Sequence, residues 1–69
     1  MSRIVEEIAN QLALDALQAA DEHGDEAIVD RVADILGATS STTQENYRTF
    51  VRVHRASQRA REYLQGLQK

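Results

Sequence analysis

The chain has 69 residues, no cysteine, no proline and a formal charge of −3 at pH 7. That length excludes more than one domain, and a fold that buries only about 60% of its unfolded surface is marginal without a staple. The missing Cys excludes disulfides and thiolate sites, and two lone His among scattered carboxylates supply no structural-metal spacing.

Apolar residues recur at helical spacing throughout, which predicts three helices. Helix 1 is expected over about 3–22, with Ser2 as N-cap and Ile4, Val5, Ile8, Leu12, Ala16 and Ala19 as its core stripe. Gly24 ends it, because glycine enters the left-handed region without steric cost. Asp25 then caps helix 2, about 26–36, with Glu26 near the positive end of the dipole. Its expected buried stripe is Ile28, Val29, Val32, Ile35 and Leu36, and Gly37 stops it.

Thr39, Ser40, Ser41, Thr42 and Thr43 form a run that favours caps and turns. Two overlapping capping boxes, Ser41 with Gln44 and Thr42 with Glu45, predict helix 3 over about 41–66. Its apolar residues fall in two groups. Tyr47, Phe50, Val51 and His54 face one way; Val53, Ala56, Ala60, Leu64 and Leu67 point about 100° or more away.

A compact chain of 69 residues is about 28 Å across, whereas a 26-residue helix is nearly 40 Å long. The end of helix 3 must therefore overhang its neighbours. Val53, Ala56, Ala60 and Leu67 are spaced 3, 4 and 7 apart, as at a helix–helix seam. With Leu64, and with Leu14 and Leu17 of helix 1, they form the expected interface with a second copy. The fold expected is all-α: a three-helix domain with a long C-terminal helix, assembled as a homodimer.

Charge divides along the chain. Residues 1–36 carry nine acids against two bases, and residues 37–69 carry six bases against two acids. Arg48, Arg52, Arg55 and Arg59 are spaced 4, 3 and 4, which puts four guanidinium groups on one helix face over about 16 Å. Three anionic surfaces suit such a stripe: nucleic acid, an acidic protein partner, or the chain's own acids such as Glu6, Glu7, Asp30 and Asp34.

Ala33, Leu36, Gly37, Ala38, Thr39 and Thr42, with Val32, give residues 28–48 a pattern that resembles the helix-turn-helix of bacterial DNA-binding regulators. In that family a small residue lets the helices approach, a Gly four positions later makes the turn, and Ser or Thr caps the second helix. Thr43 and Asn46 stand where the family usually carries apolar residues, and Glu45 would face phosphate. The resemblance implies double-stranded DNA as partner, with Ser41, Thr42, Gln44 and Arg48 near base edges or flanking phosphates. Arg52, Arg55 and Arg59 would then follow the backbone. A small DNA-binding or transcription-associated regulator is the first expectation; a helical protein–protein interaction module or adaptor, without nucleic-acid binding, is the second.

No Gly-rich phosphate loop, Cys nucleophile or recognisable Ser/His/Asp spacing is present, so neither catalysis nor a cofactor is expected. No apolar run approaches the roughly 18 residues of a membrane span, and no signal-peptide pattern precedes helix 1; a cytoplasmic location is expected. His54, on the face of Tyr47, Phe50 and Val51, reads as a hydrogen-bonded boundary residue, and His23 as part of a solvated turn.

Overall fold

The computed structural model describes residues 3–68, so the expected cap Ser2 lies outside the described residues. Three helices form: α1, Arg3–His23; α2, Ala27–Gly37; and α3, Ser41–Gly66. Each boundary has a local cause. After α1, Gly24 adopts φ 62° and donates to the Asp21 carbonyl at 3.3 Å, while the Asp25 amide reaches the Ala20 carbonyl at 3.0 Å. These two bonds make a Schellman stop that satisfies carbonyls the helix end would leave open. The Asp25 carboxylate then accepts from the Ala27 amide at 3.0 Å and starts α2.

The start of α3 differs from the capping boxes expected at Ser41 and Thr42. Extended Ser40 is the cap, accepting from the Thr43 amide at 3.2 Å, with its hydroxyl 2.8 Å from that of Thr43. Ser41 and Thr42 occupy the first turn, and Gln44 is used elsewhere.

The core also differs from the sequence reading. α1 buries Ala9, Ala13, Ala16 and Ala20; α2 buries Val29 and Ala33; α3 buries Tyr47 and Val51. The buried face of α1 is rotated from the expected stripe, with Ala16 common to both. Spacings of 4, 3 and 4 keep the four alanines in one sector, whereas Ile4 and Ile8 lie about 110–150° from its centre. Ile4 and Ile8 are accordingly exposed, and so is Ile35 of α2. Alanine faces inward because it lets the other helices approach the α1 backbone closely, and Leu12 and Leu17 close the flanks of the seam.

The overhang of α3 is as the length argument requires. Every residue from Gln58 to Gln68 is exposed, and the Cα envelope measures 47 × 28 × 13 Å. The radius of gyration is 13.5 Å, against about 11 Å for a compact chain of this size. The result is a three-helix all-α bundle from which the end of its longest helix projects.

Candidate functional site

α3 presents three faces. At about 100° per residue, Tyr47, Phe50, Val51 and His54 occupy the bundle-facing sector, and the arginines sit about 120° round from it. Val53, Ala56, Ala60 and Leu67 lie about another 100° further on.

The bundle-facing sector fixes the rest. Tyr47 is 1% exposed, and its hydroxyl donates to the Val29 carbonyl at 2.7 Å. Burial, and secondarily the negative charge of Asp30, raise the Tyr47 pKa; Arg55 and Arg48 pull weakly the other way. The phenol is therefore a protonated donor at neutral pH. One turn earlier, the Gln44 carboxamide donates to the Ala33 carbonyl at 2.9 Å. A Cβ on Gly37 would collide with that carboxamide, so the missing side chain is what admits it. Gly37 thus acts through close approach; Gly24 alone has positive φ among the described residues. His54 Nε2 lies 2.6 Å from the Asn10 amide oxygen, as a boundary histidine should.

Beside Tyr47, α2 and α3 enclose a shallow cleft of about 110 Å³. Its floor is apolar, made by Val29, Ala33 and Val51, and its rim carries Asp30, Arg48, Arg52 and Arg55. Arg55 is already paired, its Nη2 donating to the Glu26 carboxylate at 2.8 Å. Arg48, Arg52 and Arg59 make no ion pair among the described residues. The other two bridges, Arg3–Glu7 at 3.7 Å and Arg31–Asp25 at 3.5 Å, leave the stripe untouched. Neutralisation of the stripe by the chain's own acids is therefore confined to one pair. An apolar floor under unpaired guanidinium groups can hold a carboxylate or phosphate together with an aliphatic neighbour.

The remaining expected site residues are dispersed. Ser41 and Thr42 line a separate polar depression with Glu45, Asn46 and Thr49, so a carboxylate shares their surface. The Gln44 side chain is turned inward onto Ala33 rather than outward. Leu14 and Leu17 line a groove of about 620 Å³ with His54, Ser57 and Arg61, near the bundle-facing sector of α3. They are not contiguous with Val53, Ala56 and Ala60 across the helix. Among the described residues no group of three or more His, Asp or Glu is placed to hold a metal ion. Among the described residues no helix is long and apolar enough to cross a membrane.

Comparison of the chain with known protein families, with curated proteins and with solved structures found no match.

Proposed function

We propose that the chain is a helical protein–protein interaction module that takes an acidic, partly aliphatic segment of a protein partner on the arginine face of α3. One observation carries this reading: Arg48 and Arg52, without an ion pair among the described residues, rim a cleft whose floor is Val29, Ala33 and Val51. A peptide supplies both a carboxylate for the rim and an aliphatic side chain for the floor. A DNA backbone supplies only the anion. The start of α3 also suits duplex poorly, with Gln44 bonded to Ala33 and Glu45 beside Ser41 and Thr42.

The test uses fluorescence polarisation with three probes: a labelled peptide of alternating Glu and Leu, a Glu-only peptide and a random-sequence DNA duplex. The Glu/Leu peptide should bind best, and Arg48→Glu with Arg52→Glu should weaken it tenfold or more, since charge-assisted bonds turn repulsive. Binding of duplex in preference to both peptides, with a steep salt dependence, would return the chain to the DNA-binding reading.

A further inference from the structure

The third face of α3 has no partner among the described residues. Val53, Ala56, Ala60, Tyr63 and Leu67 follow one another at intervals of 3, 4, 3 and 4, the a/d pattern of a two-heptad seam. All five are exposed, with Val53 at 53%, Tyr63 at 69% and Leu67 at 66%. No charge interrupts the series. Towards the start of the helix the same sector turns polar, at Asn46 and Thr49, so the apolar strip is confined to Val53 and beyond. It begins at Val53, five residues before the run that is exposed on every side from Gln58 onward.

We infer that this strip pairs with the same strip of a second copy, in parallel and in register, so that the protein is a two-fold dimer joined along the projecting half of α3. The amount of surface favours such an occupant. The chain exposes 5186 Å². A compact protein of 7.7 kDa exposes about 4300 Å², so about 850 Å² is surplus, spread round the projecting end of α3, and pairing the strip with a second copy removes part of it.

Charge sets the direction. In parallel register Arg52 and Arg59, which flank the seam, meet Ser57 and Leu64 of the second copy, and no like charges face each other. Antiparallel pairing about Ala60 would instead set Arg59 of one copy against Arg59 of the other. The two alanines at the centre allow close backbone approach, and Val53, Tyr63 and Leu67 lock the ends. The bundle lies on the far side of α3, so two copies do not collide. Because the arginine face is about 100° from the seam, the dimer shows two such faces to solvent. The five seam residues are distinct from the cleft's Val29, Ala33, Arg48 and Val51, and Arg52 alone borders both, so either reading can fail alone.

Sedimentation velocity over a dilution series tests it. The wild-type chain should sediment at twice 7.7 kDa at about 0.1 mM and dissociate on dilution. Ala60→Glu sets two carboxylates against each other at the centre of the seam and should raise the dissociation constant about a hundredfold or more, with helicity retained. A cysteine variant tests the register independently of how Ala60→Glu folds. The natural chain has no Cys, so Val53→Cys should form one disulfide-linked dimer on mild oxidation. A monomer mass throughout, or a dimer that Ala60→Glu leaves intact, would overturn the interface. A dimer in which Val53→Cys fails to cross-link would overturn the parallel register.

Discussion

The hydroxyl of Tyr47 reaches the carbonyl of Val29, 18 residues earlier in the chain, and closes a hydrogen bond of 2.7 Å in the interior of the bundle. Tyr47 is the largest fully buried side chain among the described residues, so the contact joins the volume of the core to a buried hydrogen bond between α2 and α3. Tyr47→Phe keeps the ring and removes the bond. It should lower stability by about 0.5–1.5 kcal/mol, a fall in Tm of roughly 4–8 °C per kcal/mol for a domain this small. Tyr47→Ala should cost about 3–5 kcal/mol and abolish the cooperative melt. Circular dichroism melts of the two variants separate the bond from the ring.

The same phenol makes the fold sensitive to alkali. Its folded pKa is raised above 10.0, mainly by burial and then by Asp30. The folded state therefore keeps its proton where the unfolded chain has lost it. The stabilisation is complete below about pH 10, falls as pH rises beyond that value, and is exhausted above the folded pKa. Melting temperatures measured upward from neutral pH should decline from about pH 10, and Tyr47→Phe should flatten that decline.

Gly37 and Gln44 should behave as a coupled pair. Gly37→Ala improves helix propensity by up to about 1 kcal/mol but expels the Gln44 carboxamide and its bond to Ala33, worth about 0.5–1.5 kcal/mol. In the natural background the two effects nearly cancel. With Gln44→Ala already in place only the propensity gain remains, so Gly37→Ala should then stabilise. A double-mutant cycle reads the difference; additivity would show that the close approach carries no energy.

Glu26→Gln should release Arg55 without harming the fold. Their side chains are 80% and 42% exposed, so the pair contributes about 0.2–1 kcal/mol or less. The freed guanidinium adds to the rim of the cleft, and the Glu/Leu peptide should bind about two- to fivefold more tightly. Weaker binding would show that Arg55 holds the cleft open from its present position.

Most of the fold was legible in the sequence because its signals were local. Gly24 and Asp25 stop one helix and start the next by bonds within a few residues, and the length of α3 follows from a stretch without a breaker. The α1 interior was misplaced for a reason of scale. Ile4 and Ile8 carry more apolar area than any alanine, yet inter-helix distance depends on what is small, and periodicity weighted by hydrophobicity does not register that. The caps of α3 were ambiguous because Ser40, Ser41 and Thr42 are chemically interchangeable there. At the site, the spacing of Arg48, Arg52, Arg55 and Arg59 was visible, but the pairing of Arg55 with Glu26 spans 29 residues and had no local trace. Nor did Gln44 announce its turn toward Ala33, although a Gly seven positions earlier was a clue to close packing.

The alanine seam of α1 has a thermodynamic corollary. Methyl groups have no rotamers to freeze, so docking that helix forfeits almost no side-chain freedom, yet each contact also withdraws little area from water. Gain and loss are both small, which implies a modest unfolding enthalpy and heat-capacity increment. Calorimetry should record a broad, shallow endotherm for this chain, rather than the sharp peak of a core filled with leucine and phenylalanine.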